Sequence, residues 1–574
     1  MTLHLSFLLW LPALAGTLGL MLPGRATARL LALLGSAGAL GYAISAVVDF
    51  DRSVPGLQYV TDETWIRTLG IHYKLGIDGV NLFLILLATG LFTASILWAA
   101  GRTWGRDKLF FFHMGVGHTA VLGALLAQDL ALFVAFFDLM LIPFFFLTGI
   151  WGPAGTRVAA VTKLVIYTLV GSLLMLSAAI ATAVLAAQQN GTELSFVLTD
   201  LQQVRLGEGS QDWIFLFFAA AFIVKMPMFP VHGWMPDGYR NMPLPVLAVF
   251  SGVLSKVAAY GFLRIALPLF PDAAVQFQDL MLVIALASIL YGSAMAFTTT
   301  ETRLILGYSS VAQLGFIVLG IFALNEQGAQ GAVLQSFNHG LVVAPAFFIV
   351  ALVSARAGGS EDIRDMGGVA LRAPVLAVLF LIVALANLAM PGSANFVGEF
   401  YILLGVFEDK LVYAVIAFAG VALASVYTLR LFIRAMHNRV GPAVESAELK
   451  RSDGLVLVPL VLAILAAALY PQLPLEKGEK TVSASIAAAR DIVNPPPEEA
   501  PAPAASPTTP QIDPNTGQPI DPGAGGAVPV DPNTGEPINP NSPEAVQIDP
   551  GTGEPIDPSA GGAAAPAPEE VPAP

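Results

Sequence analysis

The sequence predicts an all-α multi-pass membrane protein of about 14 transmembrane helices, with two inverted five-helix repeats, two broken helices and a disordered, proline-rich C-terminal tail. Three observations predict it. Of 574 residues, 55% are hydrophobic and only 12% charged, whereas soluble domains carry about 25% charged residues. Apolar stretches near the ~20 residues needed to span a bilayer recur along the chain. Two of these stretches are interrupted by proline or glycine beside an ionisable residue, the pattern of discontinuous helices at mid-membrane ion sites.

The candidate spans, in order, are 3–22, 30–48, 79–99, 109–127, 130–150, 163–187, 212–236, 245–267, 278–298, 303–323, 333–354, 373–406, 411–436 and 454–470. The first lacks a basic leading region and runs at once into a second span, so it reads as a retained helix rather than a signal peptide. The odd-numbered connections carry Arg25, Arg29, Arg102, Arg106, Lys108, Arg157, Arg356, Arg364, Arg372, Arg439, Lys450 and Arg451; the even-numbered ones are poorer in bases. By the positive-inside rule the odd connections are cytoplasmic and both termini external. In the long second connection Arg52, Arg67 and Lys74 are mixed with acids and weaken the rule only slightly.

The formal net charge of −13 belongs to the tail. From Pro495 to Pro574 there are 12 Asp or Glu, 22 of the 41 prolines, and no Lys, Arg, His or aromatic residue. Residues 1–494 therefore hold 29 acids against 28 bases, a net charge of −1. The tail repeats an Asp-Pro-Asn-Thr-Gly-like unit at 511–522, 530–540 and 548–558. Such a composition buries too little apolar surface to offset ordering entropy. It reads as a solvated spacer, with a docking arm as the alternative; the ligand spacing of an EF-hand loop is absent. The chain accordingly divides into 1–108 (three helices and an external loop), 109–267 and 278–436 (the two repeats), 437–494 (the last span and its flank) and 495–574.

The chain has no Cys. That excludes disulfides, Cys-ligated zinc, iron–sulfur clusters held by this chain and Cys nucleophiles. No nicotinamide fingerprint follows a strand, so no cofactor, metal or redox centre is expected in this chain, and nothing in its charge suits nucleic acid.

Chemistry is expected where charge lies inside the spans. A charge at the bilayer centre costs about 2.5–3.5 kcal/mol on insertion scales, so it is rarely there without a reason. The candidates are Asp138 in span 5, Lys225 in span 7, Lys256 in span 8, His339 in span 11 and Glu399 in span 12. Arg264 and Arg430 lie nearer span ends, where long basic side chains snorkel. His113 and His118 are near an interface and read as structural, as do His232 and Asp237 in Pro230-Val-His-Gly-Trp-Met-Pro-Asp237. Pro227 and Pro230 cannot donate to the carbonyls of Ile223 and Met226, and Pro391 leaves that of Asn387 free. Span 7 is fourth in the block 4–8 and span 12 fourth in the block 9–13; an odd number of helices per block inverts the second copy. Lys225 and Glu399 then occupy related places, as do Asp138 and Gln313. A buried lysine resists carrying charge and a carboxylate nearby restores it, so moving Asp138 relative to Lys225 would switch the lysine between holding and releasing a proton.

The run Lys225-Met-Pro-Met-Phe-Pro-Val-His-Gly-Trp-Met-Pro-Asp237 resembles the signature of the antiporter-like membrane subunits of proton-pumping NADH:quinone oxidoreductase, respiratory complex I. Lys256-Val-Ala-Ala-Tyr-Gly-Phe-Leu-Arg264, Gly307-Tyr-Ser-Ser-Val-Ala-Gln-Leu-Gly-Phe316, Phe337-Asn-His-Gly-Leu341 and Pro391-Gly-Ser-Ala-Asn-Phe-Val-Gly-Glu-Phe400 support it. The resemblance covers about residues 1–475, excludes the tail, and is closest to the M-type chains. It implies a subunit in the bacterial plasma membrane that moves protons outward, driven by quinone reduction elsewhere in the complex, with other membrane-arm subunits as partners. It implies Lys225 as central relay lysine, Asp138 as its paired acid, Lys256 as connecting lysine, His339 as a link in the hydrophilic axis and Glu399 as terminal residue of the exit half-channel. Two positions depart from the family pattern: Asp138 stands where Glu is usual, one methylene shorter, and Gln313 where His is frequent, although Gln carries no proton at neutral pH. The same residues would suit a subunit of a multi-subunit sodium/proton antiporter or a membrane hydrogenase; a non-conducting scaffold would tolerate their neutralisation.

Overall fold

A computed structural model describes residues 4–495, apart from Pro55 and Ser446. The repeat tail read from the sequence lies, beyond Pro495, outside the described residues. The first helices are α1 (Leu5–Met21) and α2 (Arg25–Asp49). The long second connection is a β-hairpin, β1 (Gln58–Ile66) against β2 (Ile71–Ile77), antiparallel with Thr61 opposite Leu75 and Glu63 opposite Tyr73. Gly70 closes its turn at φ +60°, and its missing side chain lets the Leu194 carbonyl pack against it, a position only glycine fills without strain. Two of the three bases that blurred the charge rule there are paired: Lys74 with Asp62 at 3.1 Å, and Arg52 with Glu476.

The chain continues through α3 (Leu82–Ala100), α4 (Asp107–Leu126), α5 (Leu130–Leu139), α6 (Leu141–Trp151), α7 (Arg157–Asn190) and a single turn α8 (Leu198–Leu201). Then follow α9 (Glu208–Lys225), α10 (Met235–Asn241), α11 (Leu244–Val249), α12 (Ser255–Gly261), α13 (Leu267–Leu269) and α14 (Pro271–Gln276). The last group is α15 (Gln278–Thr298), α16 (Thr302–Ile321), α17 (Glu326–Arg356), α18 (Pro374–Asn387), α19 (Ala394–Asp409), α20 (Leu411–Met436), α21 (Arg451–Leu469) and α22 (Gln472–Val493). Among the described residues, 11 helical segments are long and apolar enough to cross a membrane, and α1 and α18 are shorter apolar helices.

Burial sorts these helices into layers. Every residue of α16 is buried, as is every residue in the most apolar window of 244–269, and α17 is nearly so. In α2, α20 and α21 only a third of the corresponding window is buried. The inner helices carry Lys256, Gln313 and His339, while the outer ones present apolar surface. This is the arrangement expected where lipid replaces water and polar groups must turn inward.

The helix α22 was not anticipated from the sequence, which read the segment as a flank. Its buried residues, Gly478, Thr481, Val482, Ser485, Ile486 and Ala489, recur at helical spacing on one face. That face lies on α13, α14 and α17, and Arg490 pairs with Glu326 at 2.6 Å.

Candidate functional site

Both predicted helix breaks are present. α9 stops at Lys225 and α10 starts only at Met235. The carbonyl of Ile223, which Pro227 cannot serve, accepts instead from Met228 N (3.0 Å), that of Val224 from Trp234 Nε1 (3.0 Å), and Phe229 N donates to Ser288 Oγ (3.1 Å). The broken backbone is thus satisfied inside the protein, as membrane depth demands. α18 stops at Asn387 and α19 resumes at Ala394. Ala389 and Gly392 take positive φ in between, and Asn338 Nδ2 reaches across from α17 to the Ala394 carbonyl at 2.7 Å.

The sequence did not announce two further irregularities. Span 5 is divided at Met140 into α5 and α6, three residues before Pro143, which removes the donor for the Leu139 carbonyl. Span 8 contains π-helical turns at 250–254 and 262–266, on either side of Lys256. Such turns are rare and often sit at functional sites.

Lys225 is 6% exposed. Its Nζ donates to the Phe137 carbonyl at 3.1 Å and lies 4.4 Å from the centre of the Phe137 ring. Asp138, the next residue, faces the same region, but no ion pair within 4 Å joins it to Lys225, and its Oδ1 has no hydrogen-bond partner. Its electrostatic neighbours are Ser172 and Lys225. Lys256 is fully buried, and Nζ donates to the Ser251 carbonyl (2.8 Å) in the first π turn. No carboxylate pairs with it among the described residues. His339 is fully buried with neither ring nitrogen bonded, and Lys256 is close enough to act on it electrostatically.

Glu399 is 2% exposed. Oε1 accepts from Gln313 Nε2 at 2.8 Å, and Gln313 Oε1 accepts from Gln335 Nε2 at 2.7 Å. On the other side, Asn387 Nδ2 donates to Ser309 Oγ (3.2 Å) and Thr428 Oγ1 (3.1 Å), and Ser309 shares a hydrogen bond with the Tyr427 hydroxyl (3.0 Å). The five predicted residues are therefore not one cluster. Lys225 with Asp138 form one centre, Lys256 with His339 a second, and Glu399 with its amides a third.

Gln335, Asn338, Asn387 and Asn395 were missed because the sequence reading followed ionisable residues only. A signal existed: Gln335, Asn338 and His339 stand at i, i+3 and i+4, a polar stripe on an otherwise apolar helix. Arg264 departs from expectation. It does not snorkel outward but turns in, bonding Gln128 Oε1 from Nε (3.1 Å) and pairing with fully buried Asp78 at 3.4 Å. Arg430 does behave as an end residue, donating to the carbonyls of Phe297 (2.6 Å) and Thr299 (3.0 Å) at the end of α15. His113 bonds the Leu109 carbonyl, His118 the Ser36 hydroxyl, and Asp237 pairs with Lys163.

Residues 127–425 match the family described as NADH:quinone oxidoreductase/Mrp antiporter, TM. The chain belongs to this family. It is 36% identical over 432 residues to NADH-quinone oxidoreductase subunit M of Rhodobacter capsulatus, covering 74% of this chain and 83% of that one. It is 35% identical over 431 residues to subunit M of Escherichia coli, covering 73% and 83%. Its structure matches a chain of respiratory complex I from Thermus thermophilus with a TM-score of 0.77 at 29% identity, over 85% of this chain and all of that one. In this member of the NADH:quinone oxidoreductase/Mrp antiporter family the matched segment takes in all five intramembrane candidates, from Asp138 to Glu399, and leaves out α1, α2, the hairpin, α3, α4, α21, α22 and the repeat tail.

Proposed function

We propose that this chain is a proton-translocating membrane-arm subunit of an NADH:quinone oxidoreductase, with other antiporter-like chains of that arm as neighbours. The observation that carries the reading is the placement of charge. Asp138, Lys225, Lys256 and Glu399 lie at membrane depth on or beside helix irregularities, and no predicted site residue occupies a lipid-facing helix such as α2, α20 or α21. The names borne by relatives at 35–36% identity support the quinone oxidoreductase reading over an antiporter reading.

The residues divide the work by chemistry. Lys225 takes up and releases the proton at the C-terminal end of α9, where the helix dipole partly offsets the cost of burying its charge. Asp138 tunes how firmly it does so, by approaching or withdrawing. Lys256 and His339 form the connecting stage, and Glu399 takes the proton at the far break. Movement of one charge across 100 mV requires about 2.3 kcal/mol, the scale of a modest change in the distance between two buried charges. Quinone reduction elsewhere in the complex supplies this work; a chain with no Cys holds no iron–sulfur centre of its own. In this reading the chain crosses the membrane fourteen times, counting α5 with α6, α9 with α10, and α18 with α19 as single spans. Spans 4–8 and 9–13 are inverted copies, and both termini are external.

The test is Lys225→Ala in the assembled complex. Assembly should be retained while quinone reduction coupled to pumping is lost. Near-normal coupled turnover would remove Lys225 from the path.

A further inference from the structure

Glu399 is held asymmetrically. Gln313 donates from Nε2 to Oε1, and Gln335 donates from Nε2 to the Gln313 carbonyl oxygen and, at 3.5 Å, to the same Oε1. Oε2 of Glu399 is buried and has no partner. An amide has one acceptor end and one donor end. Because the Gln313 oxygen is occupied by Gln335, only its N–H face is left for the carboxylate. Three buried side chains on three helices, α16, α17 and α19, thus form a chain with a single direction.

Packing fixes Gln335 in this role. α17 and α19 run antiparallel in close contact, with Gly398 directly on Gln335: a Cβ there would meet Gln335 Cβ at 2.9 Å and Cα at 3.0 Å, as well as the amide oxygen. One turn along the same seam lie Asn338 Oδ1, both ring nitrogens of His339 and both amide atoms of Asn395, all buried and all without partners. Polar sites of this kind suit ordered water.

We propose that Gln335 is a positioning residue: acting through Gln313, it pins Oε1 of Glu399 as a standing hydrogen-bond acceptor and leaves Oε2 as the oxygen that takes up and gives back the proton. This rests on the reading of Glu399 as a proton carrier. The step balances simply. An O–H bond forms at Oε2 as the incoming carrier loses its proton, the carboxylate charge is neutralised, and Oε1 becomes the carbonyl oxygen of the acid. That oxygen still accepts from Gln313, so loading needs no rearrangement of the amides. Gln313, unable to carry a proton, works as a clamp rather than as a relay member.

The test is infrared difference spectroscopy of the assembled, reconstituted complex, with proton pumping measured in parallel. The carbonyl stretch of protonated Glu399 is identified by its loss in Glu399→Gln. Gln335→Met keeps the volume and removes the amide. The freed clamp should let the Glu399 band move to higher wavenumber, and pumping should fall by up to about tenfold, the scale of one hydrogen bond. Gln335→Asn, one methylene short of Gln313, should give the same band shift and stands in if Gln335→Met does not assemble. Adding Gln335→Met to Gln313→Leu should cost clearly less than Gln335→Met costs in the parent, because the link through Gln313 is already cut and only the 3.5 Å contact with Oε1 remains. An unmoved band with unchanged pumping in the Gln335 variants, or additive losses in the double variant, overturns the positioning role alone. Normal pumping in Glu399→Gln would instead overturn the carrier reading on which it rests.

Discussion

Lys225 and Asp138 stand on facing helices without touching: the lysine ammonium is taken by the carbonyl of Phe137, the residue immediately before the aspartate. Aspartate is one methylene shorter than the glutamate usual at that place in the resemblance described above. An uncompensated charge inside a membrane is expensive, so a loose pair is poised to respond when either helix shifts.

Asp138→Asn removes the charge and should strongly impair coupled quinone reduction. Asp138→Glu keeps the charge, extends its reach toward Lys225, and should retain activity. The two rates in isolated membranes, normalised to assembled complex, check this. Equal losses would show that charge at this position is not what matters.

The buried pair Arg264–Asp78 predicts a stability effect distinct from transport. Asp78 Oδ1 also accepts from the backbone N–H of Val80 (2.9 Å) and Asn81 (3.0 Å) ahead of α3. Arg264→Ala leaves a fully buried carboxylate uncompensated and should destabilise the fold by about 3–5 kcal/mol. Thermal unfolding of the purified complex, and the amount of subunit it retains, measure this. A variant as stable as the parent would mean that Asp78 finds water or another donor.

The close approach of α17 to the first π turn predicts a second packing effect. A Cβ at Gly340 would press on the Gly252 carbonyl oxygen and the Leu87 side chain. Gly340→Ala should destabilise by about 1–3 kcal/mol, as overpacking does, and should lower pumping because His339 lies on α17 and Lys256 is bonded to the Ser251 carbonyl of that turn. Comparison with Gly41→Ala, where the added group meets nothing within 4 Å, isolates the effect of contact.

Much of this architecture was legible in the sequence because lipid imposes a simple code. Apolar runs marked the 11 described segments long and apolar enough to cross a membrane, and prolines 227, 230 and 391 marked two breaks that the structure contains. The kink at Met140 and the π turns around Lys256 were not legible. They follow from packing against neighbours, and only Pro143 hinted at either. The hairpin 58–77 hid in a mixed-charge loop, since the groups that hold it, such as the Asp129 carboxylate on His72 N and the bridge from Leu75 to Ala127, are distant in sequence. Gln335 was missed because a neutral amide in an apolar helix raises no alarm until its partners are known. Arg264 misled because distance along the chain from a span end says nothing of which way a side chain turns.

Asp362 offers a pH prediction outside the spans. Its carboxylate accepts from Arg364 Nη2 (2.6 Å), Arg364 N (2.8 Å) and Thr300 Oγ1 (3.0 Å), tying the 357–373 connection to the start of α16. The Arg364 hydrogen bond, helped by the others, holds its pKa down at about 2. A depressed carboxylate stabilises the fold fully above its unfolded value, 3.8, and that stabilisation is lost as pH falls through about 2. Hydrogen exchange of residues 360–366 should therefore show protection decaying between these values, and Asp362→Asn should weaken protection at neutral pH and remove that pH dependence.

The central claim is that protons cross through this chain by way of Lys225. Its most direct test is the number of protons pumped per NADH oxidised by reconstituted complex carrying Lys225→Ala, beside the parent complex. The account predicts assembled complex in which coupled turnover and pumping are lost together. Parent-like turnover with a parent-like proton yield would contradict it.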